Sequence, residues 1–294
     1  MKGAIDVMKT QGGMNLDCIG MIHLLPLPGS PRYDDAGGLQ KIIDRAAREL
    51  EIYLVHGFDG VIFENFGDVP FYPSNVPPET IASMTHVITS CLHEKARLFD
   101  ENHIPIGINV LRNDARAAIA IAKVVGAQFI RVNIHAGASV TDQGIIQGMA
   151  HEVMRYRQAI SAGNILIFAD VRVKHATPLH DRSIVQECED LVHRALVDGA
   201  LILTGDATGE QPSDNILHQV IAIKERLPGT KVLVGSGVNS DNIEKILEET
   251  GYAIDGCIVG TAFKRNGNVN DAVDEERVER FIDKLNGVSR SSTC

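Results

Sequence analysis

The most constraining feature of the 294-residue sequence is an alternation of eight apolar runs of strand length with eight segments of helical periodicity. Such alternation predicts an α/β fold of parallel strands joined by helical crossovers. Open doubly wound sheets usually have about five or six strands, so eight strands favour a single (β/α)8 TIM barrel with a parallel eight-stranded sheet. The expected strands are 18–24, 60–66, 105–111, 129–135, 165–173, 200–204, a run from 231, and 256–262. The expected helices are 39–55, 79–102, 115–126, 149–162, 183–198, 214–227, one ending at 251, and 274–285.

The pattern leaves no linker or second domain, so one domain is expected over residues 1–294. It includes an N-terminal extension at 1–16 and a loose tail at 288–294. The connection after the second strand, residues 67–78, holds four prolines and two aromatic residues. Loops of this length in compact domains are usually functional or disordered, and the aromatic residues favour a lid over a site.

Composition excludes several classes of protein. The net charge is −10, with no basic run and no tryptophan, which argues against nucleic acid as the main partner because phosphate neutralisation needs clustered Lys and Arg. The five cysteines lack CxxC spacing, so neither a disulfide framework nor a structural zinc site is indicated. No apolar run reaches the ~20 residues that span a bilayer. We therefore expect a cytoplasmic protein without a transmembrane segment that forms a homo-oligomer through its outer helices.

Polar residues recur at the ends of the expected strands, where the active site of a parallel barrel lies. Within the fourth and fifth strands they share one parity, so they lie on one side of the sheet. The barrel mouth is the favoured side, because charges buried under helices would lack water or partners. A structural network that closes the barrel is the alternative. The residues are His23, Glu64, Asn65, Asn109, Arg131, Asn133, His135, Asp170, Arg172 and Lys174.

Five of these residues are candidates for catalysis: His23, Glu64, Asn133, Asp170 and Lys174. His23 has the near-neutral pKa of a general acid or base. Glu64 and Asp170 fit an acid/base pair and equally fit a Mg²⁺ site completed by substrate phosphate, so no cofactor is assigned. Lys174 suits a Schiff base or, with greater weight, an electrostatic contact to substrate.

The remaining polar residues are assigned to substrate binding. These are Asn65, Asn109, Arg131, His135 and Arg172. His135 is also a conceivable metal ligand beside Glu64 and Asp170, but no tight ligand spacing supports such a site.

Two glycine-bearing strand ends predict a phosphate site. The loops after the last two strands of such barrels often bind phosphate, and glycine lets backbone N–H groups approach a ligand. Lys264 and Arg265 follow the second loop and would add positive charge. The alternative is that the glycines serve only tight packing. The phosphate-binding residues are Gly235, Ser236, Gly237, Gly260 and Thr261.

Several motifs resemble one known family. Residues 19–33 read IGMIHLLPLPGSPRY and residues 60–68 read GVIFENFGD, followed by RVN at 131–133, ADVRVKH at 169–175, TG at 204–205 and GSGV at 235–238. This set resembles the BtpA/SgcQ family over nearly the whole chain. The resemblance implies a TIM-type barrel related to the phosphate-binding barrels. It supplies no agreed reaction or catalytic residue; one branch is named for photosystem I biogenesis, and another accompanies sugar-transport genes.

The residues together favour an enzyme that acts on a small phosphorylated metabolite, either a sugar phosphate or a nucleotide-derived compound. Proton transfer beside a carbonyl, as in an isomerase or a lyase, suits carboxylates combined with Arg, Lys and Asn. A metal-assisted hydrolase of a phosphorylated or nucleoside substrate is one alternative. A non-enzymatic assembly or stability factor of the photosystem I biogenesis type is the other.

Overall fold

Eleven strands and nine α-helices occur in the part of the chain described by the structure, a computed structural model covering residues 16–205 and 207–291. The strands are β1 Asp17–His23, β2 Gly60–Glu64, β3 Ile106–Asn109, β4 Phe129–Val132, β5 Ala138–Thr141, β6 Gly144–Gln147, β7 Leu166–Val171, β8 Ala176–Pro178, β9 Ala200–Thr204, β10 Lys231–Gly235 and β11 Gly256–Val259. The helices are α1 Gly38–Val55, α2 Pro78–Glu94, α3 Ala96–Asn102, α4 Ala115–Val125, α5 Ala150–Ala159, α6 Ile184–His193, α7 Asp214–Arg226, α8 Ile243–Glu249 and α9 Glu275–Ser291.

Eight of the strands form a closed parallel barrel in the order β1-β11-β10-β9-β7-β4-β3-β2. The barrel closes where β1 pairs with β2, and this register sets His23 beside Glu64. The next pairings set Glu64 beside Asn109 and Asn109 beside Arg131. The predicted (β/α)8 TIM barrel is therefore confirmed, and the polar strand ends meet at one mouth.

The interior below the mouth is apolar. Phe129 and Phe168 stack there, with ring centroids 4.3 Å apart. Gly107 makes room for one of these rings, because a Cβ at this position would lie 2.2 Å from Phe129 Cε2. This packed layer closes the barrel from below and leaves the mouth as the open end. The interior cluster is Ile19, Met21, Ile62, Phe129, Phe168, Ala200, Ile202, Leu233 and Ile258.

A small accessory sheet lies beside the barrel, and two of its strands fall between the expected strand 129–135 and the expected helix 149–162. Strands β5 and β6 form an antiparallel hairpin, and β8 pairs with the other edge of β5. Each of these strands has only three or four residues, too few for alternation to be recognised in a sequence. Ile146 anchors the hairpin by packing against Ile134 and Val173.

Several element boundaries also differ from the predictions. The predicted helix 79–102 is divided at Lys95 into α2 and α3. Strands β4 and β7 end at Val132 and Val171, and the left-handed Arg172 (φ 54°) turns the chain out of the strand. Helix α9 continues to Ser291, so residues 288–291 are helical; residues 292–294 of the expected tail and residues 1–15 of the expected extension lie outside the described residues.

Helix α6 begins with a side-chain cap. Ser183 accepts a hydrogen bond from the Gln186 backbone N–H, and the Gln186 side chain accepts one from the Ser183 backbone N–H, which completes a capping box. In the described ranges 16–205 and 207–291, no helix is long and apolar enough to cross a bilayer.

A partly buried carboxyl group lies at the opposite pole of the barrel from the mouth. Asp59 Oδ2 accepts a hydrogen bond of 2.8 Å from the Cys18 backbone N–H. Burial raises the pKa of Asp59 from 3.8 to about 6. Because this folded-state pKa lies above the unfolded value, the folded protein binds more protons between about pH 4 and pH 6, and its stability falls as the pH rises through that window.

Replacing Asp59 with Asn will therefore raise the free energy of unfolding at pH 7 by about 2 kcal/mol. The substitution removes the cost of ionising a carboxyl group whose pKa is raised by roughly two in the folded protein, and the value is reduced because the group is partly exposed. The Asn side-chain oxygen still accepts the Cys18 N–H. Urea unfolding at pH 4.5 and at pH 7 measures the effect, which will be small at the lower pH. Parallel pH profiles for the two proteins would contradict this assignment.

Candidate active site at the barrel mouth

Seven polar side chains from five barrel strands and their first loop residues line the mouth. The strand residues among them alternate with outward-facing core residues, so the pleat directs them into the barrel, whereas Lys174 follows the turn at Arg172. Six are almost completely buried, between 1% and 7% exposed, and the seventh, Lys174, is partly buried. The set is His23, Glu64, Asn109, Arg131, Asn133, Asp170 and Lys174.

Arg131 and Asp170 form a two-pronged ion pair inside the mouth. Arg131 Nε donates to Asp170 Oδ1 at 2.8 Å, and Arg131 Nη2 donates to Oδ2 at 3.0 Å. Asn133 Nδ2 donates to the same Oδ2 at 2.6 Å. Burial opposes the charge on Arg131, yet the carboxylate of Asp170 keeps the pKa of Arg131 above its ordinary value. Both oxygens of Asp170 are occupied, which favours a positioning role over that of a free base or metal ligand.

Glu64 and His23 lie side by side without a hydrogen bond. Asn109 Nδ2 donates to Glu64 Oε2 at 2.5 Å, while Glu64 Oε1 lies 3.7 Å from His23 Nε2, too far for a hydrogen bond. Burial lowers the pKa of His23 well below 6.5, and the positive charges of Lys264, Lys174 and Arg131 lower it further. His23 is therefore a neutral imidazole at pH 7.

Three buried polar atoms at the mouth have no hydrogen-bond partner among the described residues: His23 Nδ1, Glu64 Oε1 and Asn133 Oδ1. Buried polar groups are normally paired, and an unpaired one costs about 1–3 kcal/mol. Three such atoms in one place are typical of a surface that awaits water or a ligand.

Lys174 supplies an uncommitted cation. Among the residues that the structure describes, its Nζ has no hydrogen-bond or ion-pair partner, and it lies 6.0 Å from the centroid of the Phe66 ring. Burial lowers the pKa of Lys174, the carboxylate of Glu64 raises it and the guanidinium of Arg131 lowers it again, with a net downward shift. Phe66 also contacts the His23 ring, with centroids 4.8 Å apart.

Arg112 belongs to the mouth, although the sequence analysis did not include it. It is 4% exposed, and its Nη2 donates to the backbone oxygen of Lys174 at 2.5 Å. This bond joins the loop after β3 to the loop after β7. Burial lowers the pKa of Arg112, against the opposing charges of Asp170 and Glu64. The only feature of the sequence that could have placed Arg112 at the mouth was its position three residues after Asn109, at the end of β3.

Three predicted substrate-binding residues are not brought to the mouth. His135 Nε2 donates to the Ala195 backbone oxygen at 3.0 Å, outside the barrel wall. Arg172 Nε donates to Glu187 Oε1 at 2.9 Å on the outer face. Asn65 follows Glu64 and therefore has the opposite parity; its side chain accepts a hydrogen bond of 2.7 Å from the Leu111 N–H. The alternation of side chains along a strand did not predict the positions of His135 and Arg172, because both residues lie beyond the ends of β4 and β7.

A cavity of about 30 Å³ joins the mouth to the predicted phosphate loops. This volume is about one water molecule's share of liquid water. Beyond Gly237 and Thr261 lies a larger cavity of about 300 Å³, which Arg277 and Arg280 of α9 also line. The smaller cavity is lined on one side by His23, Arg131 and Lys174 and on the other by Ser236, Gly237, Gly260 and Thr261.

The glycines of these loops also have packing roles. Gly237 has φ +63°, and a Cβ there would lie 2.0 Å from the Gln211 backbone nitrogen. A Cβ at Gly260 would lie 2.9 Å from His23 Cε1, and one at Gly235 would lie 3.0 Å from Ile202 Cγ2. Close packing therefore suffices to explain all three glycines, and the phosphate site remains a prediction that rests on the cavity.

Lys264 does not supply charge to a phosphate, contrary to the expectation from the sequence. Its Nζ is buried outside the barrel and donates to both carboxylate oxygens of Glu49 at 2.8 Å. The additional cations that share a cavity with Thr261 are instead the arginines of α9.

The described residues contain no group of three or more His, Cys, Asp or Glu side chains placed to hold a metal ion. Glu64 Oε1 is the unpartnered carboxylate oxygen at the mouth. A Mg²⁺ ion there would take one protein carboxylate and would need substrate oxygens and water for its other positions.

Comparison with known proteins places these features in a family context. The family described as the BtpA family matches residues 14–287. A Synechocystis relative named "Photosystem I biogenesis protein BtpA" is 43% identical over 267 residues, covering 91% of this chain and 87% of the relative. Among solved structures, N-(5'-phosphoribosyl)anthranilate isomerase from Pyrococcus furiosus has a TM-score of 0.53 at 13% identity and covers 92% of this chain and 99% of its own. KGPDC from Streptococcus mutans has a TM-score of 0.54 at 12% identity and covers 93% and 98%.

Proposed function

The chain belongs to the BtpA family, and we propose that it is an enzyme that binds a small phosphorylated metabolite at the barrel mouth and isomerises or cleaves it by proton transfer. One observation carries the proposal. A neutral histidine, an uncommitted lysine and the two loops expected to bind phosphate line a single cavity. Phosphate bound at the loops, in the adjoining cavity of about 300 Å³, would direct the rest of a small substrate toward His23 and Lys174.

The side chains at the mouth suit the removal of a proton from a carbon next to a carbonyl. The neutral imidazole of His23 takes the proton, and the electron pair moves to the carbonyl oxygen. Lys174 and Arg131 supply positive charge for the oxyanion, in a site where buried charges interact strongly. Glu64 Oε1, 3.7 Å from His23 Nε2, stabilises the imidazolium that forms. In an isomerase the proton is delivered to the former carbonyl carbon, while the proton of the neighbouring hydroxyl group moves to the oxyanion. In a lyase the electron pair of the enolate expels a group bonded to the next carbon, and that group leaves with the proton.

The phosphate part of the proposal rests on the loops after β10 and β11. Ser236 and Thr261 offer hydroxyl groups at the cavity, and Arg277 and Arg280 line the larger cavity beyond it. A solved barrel whose name contains a phosphoribosyl group shares the fold, but at 13% identity this likeness supports only the architecture.

Thermal-shift screening against phosphorylated sugars, nucleotides and inorganic phosphate, with and without Mg²⁺, tests the proposal. A ligand at 100 times its dissociation constant will add about 2.7 kcal/mol of stability. Thr261→Val removes a hydroxyl that has no partner among the described residues and will weaken binding about tenfold, which roughly halves that stabilisation. Gly237→Asp is unsuitable as a test because its side chain would collide with Gln211.

Thr230→Val is the matched control, since Thr230 lies before β10 at the opposite pole of the barrel. It will leave the ligand-induced shift unchanged. If no compound in the panel, inorganic phosphate included, shifts the melting temperature of the wild-type protein, the phosphate site is overturned.

A second candidate function is a non-enzymatic role in assembling or stabilising a protein complex. The observation in its favour is the name of the Synechocystis relative, which refers to photosystem I biogenesis. Survival of an in vivo role in a Glu64→Gln, Asp170→Asn double variant would favour this candidate, because these substitutions remove both carboxylates of the mouth. The metal-assisted hydrolase has less support, since Asp170 is already bound to Arg131 and Asn133.

A further inference from the structure

A third cavity, also of about 300 Å³, lies beside the barrel mouth between the loops after β1 and β2. Its volume is at the lower end of the range typical of small-molecule sites. The described residues at the mouth that are candidates for catalysis do not line it, so the proposed reaction does not account for it. Six residues define its character: Ser30, Pro31, Pro70, Phe71, Tyr72 and Thr80.

The walls of this side cavity are fixed in place by hydrogen bonds. The backbone oxygen of Tyr72 accepts a bond of 2.9 Å from the Arg112 N–H, and the Val76 N–H donates to Asp114 Oδ2 at 2.8 Å. On the other side, the Leu27 N–H donates to Asp68 Oδ1 at 2.8 Å. The loop at 67–78, whose role as a lid stays a prediction, forms one wall of the cavity and is held there by these hydrogen bonds. A cavity with such walls is formed before a ligand arrives.

The lining has flat apolar surfaces with a few polar groups. Proline and aromatic side chains provide the flat surfaces, and aromatic rings pair well with other rings in offset or edge-to-face arrangements. The Ser30 hydroxyl is buried and has no hydrogen-bond partner among the described residues, and the Thr80 side chain, 6% exposed, lines the same space. We infer that the side cavity binds a planar aromatic or heteroaromatic ring whose edge carries a hydrogen-bonding group.

Phe66 connects this side cavity to the mouth. Its ring contacts the His23 ring on one side and meets Phe71 edge-on at a centroid distance of 6.4 Å on the other. A ring seated against Phe71 therefore lies one aromatic side chain away from the general base. The ring site goes beyond the proposed reaction and does not depend on it, because its occupation can be measured in the absence of phosphate.

The absence of tryptophan from the chain allows a site-specific test. Tyr72→Trp places a single fluorophore on the rim of the cavity, where the tyrosine side chain is 55% exposed. Tyr252→Trp is the matched control, at a position that is 46% exposed and does not line the cavity. The probes are benzamide and cyclohexanecarboxamide, which carry the same amide on a flat and on a puckered ring.

Benzamide will change the fluorescence of the Tyr72→Trp variant saturably in the millimolar range, and cyclohexanecarboxamide will bind more weakly. The fluorescence of the Tyr252→Trp variant will respond to neither compound. Ser30→Ala, added to Tyr72→Trp, will weaken benzamide binding about three- to tenfold through the lost hydrogen bond. The substitution breaks no hydrogen bond of the Ser30 side chain to any described residue.

Three outcomes would overturn the inference while leaving the phosphate proposal intact. The first is an equal response of the two tryptophan variants to benzamide, which would indicate non-specific binding. The second is equal binding of the two amides at the rim of the cavity, which would exclude recognition of a flat ring. The third is a benzamide titration that does not saturate.

Discussion

A Lys264→Met variant will have a free energy of unfolding about 3 kcal/mol smaller than that of the wild-type protein. Lys264 is fully buried, and its Nζ donates to both oxygens of Glu49, itself 1% exposed. Removal of one partner from a buried ion pair typically costs about 3–5 kcal/mol, because the other charge stays buried without compensation. Arg45 Nε remains 3.2 Å from Glu49 Oε1 and keeps the cost at the lower end.

Urea unfolding at pH 7 measures this loss as a lower midpoint at an unchanged slope. Adding Glu49→Gln to the Lys264→Met variant will recover part of the stability, since the amide oxygen still accepts the Val273 N–H and no carboxylate is left buried without a partner. Lys245→Met is the matched control: its ion pair with Asp214, at 3.3 Å, is more than half exposed on both sides, and such pairs contribute about 0–1 kcal/mol. Equal losses for the two lysine variants would contradict the assignment.

The ion pair also bears on the mouth. Lys264 follows the turn at Thr261–Phe263, and its bond to Glu49 ties this turn to α1. Burial lowers the pKa of Lys264 and Glu49 raises it, with a net downward shift. The ion pair thus holds the loop after β11 in place. The positive charge of Lys264 also helps to lower the pKa of His23.

The barrel could be predicted from the sequence because the pattern that indicates it, a strand followed by a helix, is local and is repeated eight times. Each strand and helix has its own periodicity, and eight repeats of one unit leave few alternative folds. Parity within a strand also predicted that Arg131 and Asp170 would share the interior, and the structure pairs them directly. Parity depends on the chain remaining extended, which is why it failed at His135 and Arg172, beyond the ends of β4 and β7.

The remaining features depend on contacts between distant residues. Lys264 and Glu49 are 215 positions apart. No local sequence pattern could therefore predict that Lys264 pairs with Glu49 and does not contact a bound phosphate. Arg112 contacts Lys174 across 62 positions and is equally hard to recognise as a partner. The accessory sheet joins β5 to β8 through strands too short to show alternation. Partners across the barrel are set by the closure of the sheet, which a one-dimensional pattern does not specify.

Replacing His23 with Gln will slow the exchange of substrate C–H protons with solvent deuterium by about 10²–10⁴-fold, the usual contribution of a general base. The measurement is proton NMR of phosphorylated ketoses and aldoses incubated in D₂O with the protein. It needs no knowledge of the product, because proton removal next to a carbonyl leads to exchange whether isomerisation or cleavage follows. Glutamine keeps the polar contact with the mouth but cannot accept a proton at neutral pH.

His218→Gln is the matched control, since His218 is an exposed histidine paired with Glu249 far from the mouth, and it will leave the exchange rate unchanged. The lowered pKa of His23 adds a second readout. The imidazole is unprotonated above its folded-state pKa, so the exchange rate will hold at pH values well below 6.5 and fall only when His23 becomes protonated. Exchange that persists in the His23→Gln variant would assign the base to another residue. Absence of exchange in the wild-type protein with every compound that stabilises it would exclude proton abstraction from these ligands and shift the weight to the non-enzymatic role.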